Sequence, residues 1–228
     1  MQSEENIKSI FSSQMENEDT LTYKQRIKYL IKLEKWIITY KKRIIDAHFQ
    51  DLHKPESEVE IAEIWYVLSE IKKAKKNLKK WMKPKRRGVS TLSLVTASSW
   101  VIYEPKGVVL IIAPWNFPFN LTVGPIISSL AAGNRIIVKP SEMTPNVSHL
   151  IQAMIVDIFP KHHVCVIQGD KKISKELLQY PFHHIFFTGS PTIGKVVMKE
   201  AARHLSGLTL ELGGKSPTII DKTAKIKM

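Results

Sequence analysis

The sequence predicts an α/β fold: a doubly wound parallel sheet preceded by long helices, with an extended arm between them. Two observations carry this. Short apolar runs rich in β-branched residues recur through the second half of the chain, first at Val108–Ile112 and then at Ile136–Val138. Strands buried on both faces of a parallel sheet read this way. Between the runs lie segments with helical apolar spacing, and strands alternating with helices define a doubly wound sheet. The stretch from Gly107 to Glu142 holds the clearest unit. Pro114 stops the first strand, Phe119 to Ala132 forms a helix that Gly124 and Pro125 weaken, and Gly133 with Asn134 ends it. The loops APWNFP and KPSE then emerge at the carboxyl ends of neighbouring strands, where open α/β sheets bind ligands.

The rest of the chain follows in order. Ile7, Ile10, Phe11 and Met15 mark a first helix. Thr22 with Gln25 makes a capping-box start, and Ile27, Leu30, Ile31, Trp36, Ile37 and Ile44 keep helical spacing to about residue 50. Pro55 breaks the pattern. Ser57 with Glu60 restarts it, and Ile61, Ile64, Trp65, Leu68, Ile71, Leu78 and Trp81 form one apolar stripe. From Gly88 to Tyr103, Leu92 and Leu94 alternate with Ser and Thr, which reads as an extended arm or hairpin. Beyond KPSE, Thr144 and Pro145 open a helix by cap and first-turn rules. Strands are expected at His163–Ile167, His183–Phe187, Leu208–Leu212 and Thr218–Asp221, with helices at Ile173–Gln179 and Ile193–Leu205.

Composition limits the function. The 228 residues are 43% hydrophobic, enough for a core, and carry 34 Lys and Arg against 21 Asp and Glu, a net charge of +13. Ten basic residues and no acid lie between Ile71 and Arg87. They read as the solvated face of an amphipathic helix rather than a nucleic-acid patch, because no aromatic residues interleave with them as in single-strand binders. One cysteine allows no intramolecular disulfide and suits a reducing compartment. The acidic start MQSEENIK is no secretory signal, and no apolar run approaches the roughly 20 residues that span a bilayer. A soluble cytoplasmic protein is expected, with no nucleic-acid partner, membrane segment or metal site.

Four motifs carry a resemblance. PWNFP, KPSE, FFTGSPTIGK and LELGGKSP, in this order, resemble the amino-terminal motifs of the aldehyde dehydrogenase family. DLHKP at Asp51–Pro55 and KNLKKWMKP at Lys76–Pro84 resemble its class 3, fatty-aldehyde branch. The resemblance implies helices over 1–87, oligomerisation strands over 88–103 that join a neighbouring subunit, and a Rossmann-like dinucleotide-binding domain over 104–228. It further implies an aldehyde substrate, NAD or NADP as coenzyme, and a homodimer for the intact protein.

Residue by residue, the resemblance places Ile112, Ala113, Pro114, Trp115, Lys139, Glu142, Gly189, Ser190, Ile193 and Leu212 around the coenzyme. Lys139 and Glu142 read otherwise as a solvated turn, but an ammonium and a carboxylate both hydrogen-bond ribose hydroxyls. Glu142 would repel a 2′-phosphate, so NAD is expected over NADP, although class 3 resembles enzymes that use both. GSPTIGK, Gly189 to Lys195, would be a phosphate-binding P-loop if Ser or Thr followed. Val196 stands there instead, which makes a nucleotide hydrolase the weaker reading. By resemblance the amide of Asn116 donates to the oxyanion formed on the aldehyde, and such a donor contributes about 2.7–4 kcal/mol. Glu211, at the end of an apolar strand, is uncomfortable there unless paired or functional. Desolvation would raise its pKa toward the useful range for a general base, and by resemblance it activates the water that hydrolyses the enzyme thioester.

The nucleophile is the gap. Thiolate attack needs a cysteine; in the family this chain resembles it lies beyond the Glu211 motif, and no cysteine follows Glu211 here. Cys165 lies within the apolar run HVCVIQG, where an inert buried thiol is expected. The chain thus resembles the front part of an aldehyde dehydrogenase without its catalytic domain and is expected to be inactive alone. A stand-alone dinucleotide-binding or regulatory remnant is the alternative.

Overall fold

In the computed structural model, residues 4–16, 20–88 and 97–225 are described. Five strands form one parallel sheet: β3 (Val108–Ile112), β4 (Arg135–Lys139), β5 (Val164–Val166), β6 (His184–Gly189) and β7 (Gly207–Leu212), in the order β5-β4-β3-β6-β7. From β3 the chain steps outward through β4 and β5, then returns to the other side of β3 for β6 and β7. The strand order therefore reverses between β3 and β6, and this switch point opens a crevice at their carboxyl ends.

Alternation along each strand divides the core into two layers. Val109, Ile111, Ile136, Val138, Val164 and Val166 pack with α2 (Tyr23–Thr39), α3 (Lys41–Leu52), α5 (Tyr66–Trp81), α6 (Asn120–Ala132) and α7 (Pro145–Ile158). Val108, Leu110, Ile112, Ile137, Cys165, Ile185 and Phe187 face α1 (Glu4–Glu16), α8 (Lys171–Leu177) and α9 (Pro191–Arg203). Helices on both faces make the sheet doubly wound, as the sequence predicts. Gly133 ends α6 with φ of 89°, and a Cβ there would lie 2.3 Å from the Arg26 guanidinium. That buried guanidinium donates to the carbonyls of Leu21 and Ala131, tying α2 to the end of α6.

Several boundaries differ from the sequence reading. The helix expected to run from Thr22 to about residue 50 breaks at Tyr40, whose φ of −105° and ψ of 21° leave the helical region. The capping box of Thr22 and Gln25 is present. No capping box forms at Ser57; Pro55 holds the N-cap of α4 (Glu56–Glu58) without a side-chain bond. A π-helical segment, Val59–Trp65, then leads into α5. Its wider turns shift the phase of the stripe, so Val59, Glu63, Ile64, Val67, Ile71, Ala74 and Leu78 face inward. Ile61 and Trp65, expected in the stripe, are 68% and 66% exposed.

The cap of α7 also comes from elsewhere. Thr144 makes no capping bond; Asp51 instead accepts from the backbone N–H groups of Asn146 and Val147 at 3.2 and 2.9 Å. The arm begins with β1 (Lys85–Arg87), which pairs antiparallel with β2 (Ser99–Val101); Leu92 and Leu94 lie outside the described residues. No strand forms at Thr218–Asp221. Those residues are exposed, beyond the sheet edge at β7.

Candidate active site

Parallel register places the four motifs side by side. Ile112 pairs with Lys139 on one flank and Phe187 on the other, while Thr188 and Gly189 pair with Glu211 and Leu212. The loops that follow all leave from the same edge of the sheet. They border one groove of about 1260 Å³, lined by Ile112, Ala113, Pro114, Trp115, Asn116, Lys139, Glu142, Gly189, Ser190, Ile193, Glu211 and Leu212. All twelve residues singled out from the sequence thus meet in one place.

Their environments differ. The Lys139 side chain is only 3% exposed, and its ammonium lies 2.5 Å from a Glu142 carboxylate oxygen. This is a directed pair rather than a solvated turn. At the mouth of the groove, Trp115 and Ile193 are about half exposed. Thr188 Oγ1 is buried on the strand wall without a hydrogen-bond partner among the described residues.

The Gly189–Lys195 segment is a turn and not a wrapped loop. Gly189 is the last residue of β6, Ser190 caps α9 by accepting from Ile193 N–H at 3.3 Å, and Gly194 and Lys195 already lie inside the helix. A phosphate-wrapping P-loop has no room here, and Lys195 does not line the groove.

Asn116 is held through its backbone. Lys54 Nζ donates to the Asn116 carbonyl at 2.7 Å, bonds Glu63 at 3.0 Å and sits 4.0 Å from the centre of the Phe117 ring. The other Glu63 oxygen accepts the Asn120 N–H at 2.7 Å and so caps α6, whose N-cap residue is the apolar Phe119. His48 Nε2 lies 3.2 Å from Glu63 without hydrogen-bond alignment, while its Nδ1 bonds the Ile44 carbonyl at 2.7 Å. Burial pushes the Glu63 carboxyl up, but His48, the Asn120 N–H and Lys54 outweigh it and hold it below the usual carboxylate range. Sequence reasoning missed Asp51, Lys54 and Glu63 as the supports of these loops. Asp51 and Lys54 lie in DLHKP, one of the segments that carry the resemblance, and that was the available signal; Glu63 carried none.

Glu211 corrects one expectation. It is exposed, at the outer end of edge strand β7, where nothing among the described residues covers it. The desolvation read from its apolar strand is absent in this chain. Cys165, by contrast, is buried as expected, and burial pushes its thiol up to about 12.

A parallel sheet with this strand order and a glycine-serine turn beside its switch point defines a Rossmann-type doubly wound fold. The profile of the aldehyde dehydrogenase family matches residues 4–228, and the chain belongs to that family. It is 45% identical to a putative aldehyde dehydrogenase, AldX, of Bacillus subtilis, across 96% of this chain and 50% of that protein. It is 42% identical to aldehyde dehydrogenase family 3 member B1 of Homo sapiens, across 79% of this chain and 38% of that protein. Among solved structures, the substrate-bound state of Staphylococcus aureus AldH superposes with a TM-score of 0.90 at 40% identity, over 96% of this chain and 48% of that one. The NAD+ complex of an aldehyde dehydrogenase from Bacillus cereus gives 0.83 at 26%, over 97% and 46%. The chain spans about half the length of the curated relatives it matches, or less. No helix among the described residues is long and apolar enough to cross a membrane.

Proposed function

We propose that this chain is the coenzyme-binding part of an enzyme that oxidises an aldehyde to a carboxylic acid with NAD(P). The observation that carries this reading is the single groove in which the PWNFP, KPSE, GSPTIG and LELGG motifs meet at the switch point. Its residues fit a dinucleotide. Lys139 and Glu142 offer an ammonium and a carboxylate to the ribose hydroxyls. Ser190 and the amino end of α9 face the diphosphate. Trp115, Ile193 and Leu212 supply apolar walls for the rings, and the unpartnered Thr188 hydroxyl is a polar group in want of a ligand. When bound, the nicotinamide accepts the hydride that the aldehyde carbon gives up.

The chain's own residues do the rest. The Asn116 amide donates to the oxygen that gains charge as the carbonyl is attacked, and Lys54 fixes the backbone that carries it. Glu211 takes a proton from the water that releases the acyl group, once a neighbouring element covers it. The attacking thiolate must come from outside this sequence, because Cys165 is buried on the sheet with its thiol held protonated.

The purified chain is therefore expected to bind NAD+ yet to make no NADH when an aldehyde is added. Steady NADH production, followed by absorbance, would overturn the reading, and so would failure to bind either dinucleotide. Glu142→Gln is expected to shift preference toward NADP, since it removes the carboxylate that meets a 2′-phosphate. Equal Kd ratios for the two coenzymes in variant and parent would contradict that role.

A further inference from the structure

The basic run of α5 takes no part in the groove. Lys72, Lys76 and Lys79 follow one another at helical spacing on the exposed side of the helix, and none of them lines the coenzyme site. α2 packs beside α5, and an ion pair between Glu34 and Lys75 ties the two together. Ile31 and Ile38 lie three residues before and four after Glu34, so they share its side of α2. Lys72 and Lys79 bear the same relation to Lys75. The two helices therefore present one continuous face. On it Ile31 and Ile38 are 49% and 61% exposed, alternating along α2 with the exposed Lys28 and Lys35.

Nothing among the described residues neutralises this face. Lys28, Lys35, Lys72, Lys76 and Lys79 make no ion pair there. The acids of the elements packed around them are all engaged. Glu34, the sole acid of α2, is held by Lys75, and Glu70, the sole acid of α5, lies 3.4 Å from Lys73. α6 carries none. In α3, Asp46 pairs with Lys42 and Asp51 caps α7. Glu60 of the π-helical segment pairs with Lys41, Glu63 is buried against Lys54, and Asp157 of α7 accepts from the Trp36 ring N–H at 2.9 Å.

Five unpaired ammonium groups on one face call for a polyanion, and the two isoleucines decide which. Along a nucleic acid they would meet phosphates, and none of the side chains on this face is an aromatic ring on which a base could stack. At a bilayer surface both chemistries are satisfied. The isoleucines enter the headgroup boundary, and the lysine stems lie along the apolar layer with their ammonium groups at the lipid phosphates. We infer that the joint face of α2 and α5 rests on the surface of an anionic phospholipid bilayer, lying on it rather than crossing it. The inference stands apart from the coenzyme reading, since neither uses the other's residues.

The test is sedimentation of the chain with phosphatidylcholine vesicles, with and without about one-third phosphatidylserine, in about 0.15 M salt. The chain is expected to bind the anionic vesicles at least about 10-fold more tightly than the neutral ones, and less tightly as salt rises. Lys72→Glu/Lys76→Glu/Lys79→Glu is expected to weaken that binding at least about 10-fold. Ile31→Gln/Ile38→Gln is expected to weaken it about 5-fold while leaving retention on a single-stranded RNA unchanged. Equal binding to both kinds of vesicle, or none to the anionic ones, overturns the inference. So does an isoleucine variant that binds vesicles as the parent does. Tighter binding to the RNA than to the anionic vesicles also overturns it and assigns the face to nucleic acid. Both variants alter exposed side chains only, and matching urea midpoints show that each is folded. The parent's dependence on lipid charge and salt is decisive even where a variant fails to fold.

Discussion

Glu63→Ala is expected to destabilise the chain by about 3–5 kcal/mol, the usual cost of removing one member of a buried ion pair. Glu63 has no exposed side-chain surface and serves three partners at once: Lys54, the Asn120 N–H and His48. Its removal leaves an ammonium that is only 11% exposed with just the half-exposed Glu58 carboxylate, 3.7 Å away, as counter-charge, and uncaps α6. Much of that cost comes from the charge left behind rather than from the worth of the pair. Urea unfolding measures it as a lower midpoint at unchanged slope. A loss below about 1 kcal/mol, the range of exposed pairs, would show that the cluster is solvated and not structural. Pairing Glu63→Ala with Lys54→Met should recover part of the loss, because the orphaned cation goes as well.

Acid is expected to weaken the fold well before carboxylates titrate. His163 is 3% exposed, stacked on Tyr29 with its Nε2 unpartnered. Burial, with smaller contributions from the positive charges of His162, Arg135 and Arg26, lowers its pKa from 6.5 to about 4. A folded-state value below the unfolded one means that the unfolded chain takes up the proton first. Stability is therefore full above about pH 6.5, falls as pH drops toward 4, and loses no more to this group below that. The shift corresponds to about 3 kcal/mol. His184, also lowered by burial and by Lys106, acts in the same direction. The lowered Glu63 carboxyl adds a further loss that begins in the usual carboxylate range and continues as pH falls through its lowered folded value. His163→Phe keeps a ring against Tyr29 and removes the titration, so its unfolding free energy should change much less between pH 7 and pH 4. A parent and variant with parallel pH profiles would assign the acid sensitivity elsewhere.

The sheet was legible because parallel strands announce themselves: Val108–Ile112 and Ile136–Val138 are β-branched runs with nowhere to go but a core. The groove was legible because its motifs end those strands. Phase and partnership were not. One π-helical segment turned Ile61 and Trp65 outward and Glu63 inward, and no periodicity count at a fixed 3.6 residues detects that. The cap of α7 comes from Asp51, 95 residues away from Asn146, so local cap rules pointed to Thr144 instead. Burial of Glu211 was inferred from its own strand, yet burial at a sheet edge depends on what packs beside it.

The coenzyme groove is tested most directly by backbone hydrogen exchange with and without saturating NAD+. Protection is expected at 112–116, 139–142 and 189–193, the three loops that border the switch point, with little change in the α1 and α2 helices. Protection confined to other segments, or none at saturating NAD+, would contradict a dinucleotide bound where β3 and β6 part.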